Sequence, residues 1–315
     1  MSWQLIESDA ALADVLAEAQ QVDSVVIDTE FMRRNTFFPE VALLQISFGG
    51  TAWLIDPLAI SDTGGLAALL TDPGVVKVLH SGSEDLEVFQ RWLGVLPQPL
   101  FDTQRAAALL DMGFGLGYGA LVEAVCHVAL EKGETRSDWL QRPLTESQCH
   151  YAAQDVIYLH DIWLSLSQMC REQDKYDWVL ADGEDAVATL ASNGRDYYKR
   201  IKSAWKLDQR QLASLVAICN WREDTARERN KPRGWIIDDK ACLQLAQSAP
   251  ASLSEMKASV ELPPPAARRY GERLLVLLGE QRDVPVDDLP QRLPPPMSSS
   301  QRDLSKKLKQ RVRDI

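Results

Sequence analysis

The sequence predicts an α/β domain, a mixed sheet flanked by helices, followed by a smaller all-α helical bundle. Three observations carry this. Short strands rich in β-branched residues crowd the first hundred positions and then alternate with helical segments; helical periodicity takes over from about residue 176; and the charge changes sign along the chain. The net charge of −11 over 315 residues divides into −19 for residues 1–190 and +8 for residues 191–315. An acidic body with a basic appendage follows, the body offering carboxylates for divalent cations and the appendage contacts for phosphates. The length suits two domains.

Element by element, VVIDTEF (25–31) reads as a strand, with VALLQISFGG (41–50) and TAWLIDP (51–57) close behind it. Gly49-Gly50 fits a tight turn, so the three form an antiparallel meander. A helix over 64–71 stops at Asp72-Pro73-Gly74, and VVKVLHS (75–81) is the next strand. SEDLEVFQRWLG (83–94) is an amphipathic helix with Ser83 as N-cap and Gly94 just past its end. A short strand at 100–102 leads into a helix from Thr103 to about Met112, a glycine-rich loop at 113–119, and helices over 118–130 and 145–171. The chain is helical again over 176–200. Residues 205–230 read as a pair of amphipathic helical stretches, followed by helices near 238–247 and 265–280 with the prolines 263–265 between them. Residues 283–300, rich in Pro and Ser, read as a linker, and the tail 301–315, with six Lys/Arg against two Asp, starts a basic helix.

Composition excludes several classes. No run of about eighteen apolar residues encodes a membrane span, and MSWQLIESDA lacks the layout of a signal peptide. The five cysteines are scattered, odd in number and never in a CxxC pair, which argues against a disulfide framework or a zinc site and suits a reducing cytoplasm.

Asp28 and Glu30 lie two apart in an apolar strand, so both carboxylates share one face. Two like charges side by side in a buried strand are costly unless cations neutralise them. Tyr151 and Asp155, four apart in CHYAAQDVIYLHDIW, share one helix face; that spacing is common on surface helices. Asp85 stands in the first turn of a helix, where the helix dipole favours a carboxylate in any case.

In this order along the chain the residues are specific. A strand bearing D-x-E, an Asp in a helix after a later strand, and Y-x-x-x-D on a late helix resemble the DEDD exonuclease superfamily, the tyrosine marking its DEDDy branch. VVIDTEFMRRNTFFPEVALLQIS, VLHSGSEDLEVF, LPQPLFDTQRAAALL and SDWLQRPLTESQCHYAAQDVIYL resemble the ribonuclease D family, and residues 207–282 resemble the HRDC domain that follows the nuclease domain in that family. The resemblance implies a ribonuclease H-like exonuclease domain over 1–195, an HRDC bundle over 205–283, and over 284–315 a linker with the start of a truncated or degenerate second HRDC-like region. The family commonly carries a second HRDC domain, and this sequence ends about one helix into its place.

The resemblance also implies a chemistry: 3′→5′ hydrolysis of RNA by two divalent ions, Mg²⁺ or Mn²⁺, releasing nucleoside 5′-monophosphates. Asp28, Glu30 and Asp155 would contact the metals directly, and Asp85 chiefly through metal-bound water. Tyr151 would orient the attacking water, since a phenol with a pKa near 10 is a poor base at pH 7. Thr29 and Phe31 would meet the terminal nucleotide, Thr29 through its backbone, because alternation turns both side chains away from Asp28 and Glu30. His80 would touch ribose or phosphate, or simply pack at a strand end; Gln45 and Trp139 belong to the core around the site. The expected substrate is a tRNA precursor, met by a cytoplasmic monomer with no membrane partner. A DNA 3′ exonuclease and a non-catalytic RNA-binding scaffold are the alternatives.

In the helical half, Arg222, Arg227, Arg229, Lys231 and Arg233 crowd one helix end and loop beside Trp221 and Trp235, a pattern suited to RNA contact. Against it, Trp221 falls on the apolar stripe, and Glu223, Asp224 and Glu228 offset three of the charges. Lys199, Arg200, Lys202 and Lys206 form a second basic cluster at the domain junction.

Overall fold

Two elements absent from the expectations open the chain, β1 (Ser2–Ile6) and α1 (Asp9–Ala19). β1 fully buries only Ile6, too little alternation to read as a strand. α1 starts at Ser8, whose hydroxyl accepts the Ala11 N–H at 3.3 Å. In this computed structural model, which describes residues 2–130, 133–134, 137–191 and 196–314 (the side chain of residue 313 excepted), the expected meander follows as β2 (Ser24–Met32), β3 (Glu40–Phe48) and β4 (Thr51–Ile55), antiparallel throughout. Gly49 and Gly50 close the second hairpin at φ of +60° and +83°, the left-handed region that a two-residue turn of this hand needs and that other residues resist.

Then come α2 (Gly64–Thr71), β5 (Val76–Leu79), α3 (Ser83–Trp92), β6 (Leu100–Asp102), α4 (Thr103–Leu109), α5 (Tyr118–Cys126), α6 (Glu146–Glu172) and α7 (Tyr176–Ala191). The sheet order is β1-β4-β3-β2-β5-β6, with β1 parallel to β4, and β5 parallel to both β2 and β6. Both faces are apolar. Val25, Ile27, Leu44 and Ile46 pack with α1, α2 and α3, whereas Val26, Leu43, Leu54 and Val78 pack with α4, α5 and α6. The result is a three-layer sandwich with β2 near its middle.

Ser83 is not the N-cap of α3. Gly82 holds that place, because the Asp102 carboxylate accepts the N–H groups of Ser81 (3.0 Å), Gly82 (3.3 Å) and Gln104 (2.8 Å) and so fixes the turn before the helix. Gly94 stands past the end of α3 at φ +71°, as expected. The 27-residue α6 begins at a capping box of Thr145 and Gln148.

The chain divides into two compact units, Met1–Asn193 and Gly194–Ile315. In the second, residues 205–230 are not two stretches but a short 3₁₀ turn at 204–206 and one continuous helix, α8 (Gln209–Glu228). Neither Gly nor Pro interrupts that span, and an Asp208/Gln211 capping box starts it. The helices α9 (Arg233–Ile236), α10 (Asp239–Ser248), α11 (Leu253–Ser259) and α12 (Pro264–Arg282) complete a bundle around Leu215, Ile218, Leu245, Met256 and Leu274. The prolines at 264 and 265 belong to α12 itself, in the first turn, where a missing N–H costs nothing. Apart from a 3₁₀ turn at 286–288, residues 283–298 carry no regular structure before the basic helix α13 (Ser299–Arg313).

One ion pair ties the loop before α6 to the sheet. Arg142 donates to both Asp56 oxygens (2.5 and 2.7 Å) and to the carbonyls of Ala42, Trp139 and Gln141. The Asp56 side chain is buried, so Arg142→Ala strands a lone charge in the core. We expect a stability loss of about 3 kcal/mol, read as a lower thermal midpoint by circular dichroism; an unchanged midpoint would remove this pair from the frame.

Candidate active site

β2 pairs with β5 only over Ser24–Val26, while its pairing with β3 continues to Met32. Beyond Val26 the strand therefore runs past the carboxyl end of β5, the kind of crevice in which α/β sheets bind ligands. Asp28 and Glu30 lie on this overhang, on the face covered by α6. Tyr151 and Asp155, one turn apart on α6, complete the group. One oxygen each from Asp28, Glu30 and Asp155 all lie within 4.8 Å of one another. With His80, Tyr118, Tyr151 and Leu159 they line a cavity of about 190 Å³.

The electrostatics are those of crowded, half-buried carboxyls. Burial, then Asp85, Asp155 and Glu30 in turn, push the Asp28 carboxyl well above the usual carboxylate range. Burial and then Asp155 lift Glu30 to about 9. Burial raises Asp155 to about 7, held back by the hydrogen bond from Tyr151. Three hard oxygen donors that repel one another unless a cation or protons intervene suit a divalent ion of the Mg²⁺, Mn²⁺ or Ca²⁺ type, not the nitrogen and sulfur sites typical of zinc.

Asp85 lies outside that close group. It sits in the first turn of α3, 8% exposed, and accepts a hydrogen bond from the Thr29 hydroxyl. Thr29 does turn away from Asp28 and Glu30, but its side chain is committed to Asp85, so the residue ties the strand to α3. Burial lifts Asp85 to about 6, with the Thr29 hydroxyl opposing the rise. Phe31 follows the β-bulge at Glu30/Phe31, with the Arg33 guanidinium 6.0 Å from its ring, and is not among the cavity's lining residues.

His80 does reach the cavity. The Thr103 hydroxyl lies 3.1 Å from the Leu79 carbonyl and 3.0 Å from His80 Nδ1, which fixes the ring between the strand end and α4. Burial keeps the imidazole neutral, opposed by Asp102 and the Leu116 backbone, and its Nε2 is buried. Tyr118 was not foreseen: its ring lies 5.6 Å from that of His80, and its hydroxyl donates to the Asp155 and Gln154 carbonyls (2.6 and 3.0 Å). An aromatic near the end of a glycine-rich loop was the only signal. Gln45, opposite Asp28 in the strand pairing, and Trp139 are core residues whose buried polar side-chain atoms have no partner.

In the second unit one expected contact is overturned. Arg222 is 1% exposed; it is paired with Asp239 (2.8 Å), donates to the Ile237 carbonyl and faces the Tyr197 ring, so no RNA can touch it. Arg227 and Arg233 converge on the buried carboxylate of Glu223, spending much of their charge within the bundle. Arg229 is exposed and donates to the Tyr270 hydroxyl, and the Lys231 amine lies 5.9 Å from the Trp235 ring. Trp221 packs edge-on against Tyr270, on the apolar side as its spacing suggests. In the second basic cluster Lys199 is paired with Asp196.

The metal-free site should respond to pH. Each of these carboxyls holds its proton more tightly folded than unfolded, so stability falls as pH rises through about 7 and toward about 9. We expect the thermal midpoint in chelator to drop from about pH 6 to about pH 8.5. Mn²⁺, which competes with those protons, should raise it more at the higher pH. A midpoint that does not depend on pH or Mn²⁺ would contradict the clustering.

Residues 3–171 match the family model of a 3′-5′ exonuclease, and residues 211–278 that of the HRDC domain. A ribonuclease D of Pseudomonas paraeruginosa is 44% identical over 97% of this chain and 82% of its own length. The crystal structure of Escherichia coli RNase D, described as an exoribonuclease involved in structured RNA processing, superposes with a TM-score of 0.85 at 36% identity, covering all of this chain and 84% of that one. Brucella melitensis NrnC with bound Mg²⁺ is 27% identical at a TM-score of 0.53, covering 62% of this chain and 96% of that one.

Proposed function

The chain belongs to the ribonuclease D family and is a 3′→5′ exoribonuclease, and from that premise we propose which of its residues carry the reaction and what it trims. The observation that carries the reading is the trio Asp28, Glu30 and Asp155, three half-buried carboxylates within 4.8 Å on two elements that meet beyond the end of β5. These three would hold two divalent ions, Mg²⁺ or Mn²⁺, with Asp85 adding its charge from across β2. When bound, such ions supply an activated water at neutral pH and charge for the departing 3′ oxygen.

The protein's own groups do the rest. The Tyr151 hydroxyl, hydrogen-bonded to Asp155, orients the attacking water instead of deprotonating it. Thr29 and Asp85 brace the strand so that Asp28 and Glu30 keep their spacing. His80, a neutral imidazole on the cavity wall, would hydrogen-bond a ribose hydroxyl, which can either give or take a proton. Thr29 and Phe31 would then meet the terminal nucleotide only from the rim.

The products are nucleoside 5′-monophosphates, and the substrate is a structured RNA with a free 3′ end, tRNA precursors foremost, in line with the description of the Escherichia coli relative. We expect the protein to act as a monomer. Five free cysteines suit the reducing cytoplasm, and among the described residues no helix is long and apolar enough to cross a membrane.

Asp28→Asn should abolish release of mononucleotides from 3′-hydroxyl RNA in Mn²⁺ while leaving RNA binding within about twofold; joint loss of both would point to misfolding. Tyr151→Phe should lower kcat about a hundredfold at nearly constant KM. For His80→Ala we expect the preference for a terminal ribonucleotide over a 2′-deoxynucleotide to shrink about tenfold, the worth of one hydrogen bond. Chimeric substrates measure it, and an unchanged preference would free His80 of that role.

A further inference from the structure

The reaction proposed above gives no part to Tyr118, although its ring lines the same cavity as the three acids. Tyr118 opens α5 after the glycine-rich loop, which the Gln104 side chain ties to α4 by donating to the Leu116 carbonyl at 3.0 Å. From there its hydroxyl reaches α6. The O–H is shared between the carbonyls of Asp155 (2.6 Å) and Gln154 (3.0 Å), and the Leu159 N–H faces the same oxygen.

In a regular α-helix the Asp155 carbonyl and the Leu159 N–H are each other's partners, because every carbonyl accepts from the N–H four residues on. The Tyr118 hydroxyl therefore stands at the rung of the ladder that begins at Asp155. A side chain set into a ladder bends or opens the helix at that point, and α6 contains neither Gly nor Pro that would do so in its place. Burial, then Asp155 and Asp28, hold the phenol well above its usual range, so it keeps the proton that it donates. A phenylalanine would fill the same space. The hydroxyl adds only the contact with α6.

Taking the trio Asp28, Glu30 and Asp155 as the metal's holders, as read above, we propose that Tyr118 is a positioning residue for the metal site, its hydroxyl fixing the α6 backbone at Asp155 and with it the place of that carboxylate. Tyr151 bonds the Asp155 side chain, and Tyr118 holds the backbone behind it, so the ligand is fixed from both ends. Groups that orient metal ligands without touching the ion are worth about ten- to a hundredfold in affinity. Mg²⁺ demands near-ideal octahedral geometry whereas Ca²⁺ accepts flexible coordination. A carboxylate that drifts therefore loses more affinity for Mg²⁺ than for Ca²⁺.

The test is Mn²⁺ titration of the full chain without RNA, with free Mn²⁺ read by electron paramagnetic resonance. Tyr118→Phe should weaken Mn²⁺ binding about tenfold, and competition against bound Mn²⁺ should show a larger loss for Mg²⁺ than for Ca²⁺. Its melt in chelator should stay within about 4 °C of wild type, the scale of one lost hydrogen bond. Tyr118→Leu, which also empties the place of the ring, should melt lower with no greater loss of metal. In cleavage of 3′-hydroxyl RNA by Tyr118→Phe, the Mn²⁺ concentration for half-maximal rate should rise about tenfold while KM for RNA stays within about twofold. Wild-type Mn²⁺ affinity in Tyr118→Phe would overturn the proposal, as would equal losses for Mg²⁺ and Ca²⁺, or a rise in KM for RNA in place of the metal effect. A wild type that holds no Mn²⁺ would overturn the reading of the trio, and the role of Tyr118 with it.

Discussion

Three carboxylates packed within 4.8 Å in a largely buried site are the constraint that the first unit is arranged around. Their mutual repulsion and lost hydration would spread them apart on a flexible support. They stay together because two come from the interior of a sheet strand and the third from a long helix pressed on that sheet. Both supports are anchored well away from the site. β2 is fixed by pairing with β3 along nearly its whole length, and α6 by a row of buried residues from Gln148 to Cys170.

The same constraint explains the surrounding polar contacts. Thr29 and Asp85 join across the strand, Tyr118 clasps two α6 carbonyls beside Asp155, and Arg142 fastens the loop that carries Trp139 toward Tyr151. Each fixes an element bearing a carboxylate or the tyrosine beside it, and none depends on charges reaching each other through open water. In the second unit the logic is reversed. There Glu223 gathers two arginines and Asp239 a third, so these positive charges are tied into the bundle.

The features legible in the sequence are those set by local periodicity. Alternation placed Asp28 and Glu30 on one face and Thr29 on the other; helical spacing put Tyr151 above Asp155; the glycine pair fixed the hairpin. What lies against a face is a tertiary fact. Alternation turned Thr29 away from the acids but could not show that Asp85, 56 residues on, waits there. Asp56 and Arg142, 86 residues apart, gave no joint signal. Arg222 looked like a surface charge because its burying partners, Asp239 and Tyr197, belong to other elements. β1 escaped notice because an edge strand that fully buries one residue carries almost no pattern.

The raised carboxyls give metal loading a further thermodynamic character. Near neutral pH the metal-free cluster retains protons that a bound cation must expel. Loading is thus an exchange of protons for metal, and the solution must absorb what is released. In a calorimeter, part of the heat attributed to binding belongs to the ionisation of the buffer, so enthalpies taken in different buffers at one pH will disagree until the protons are counted.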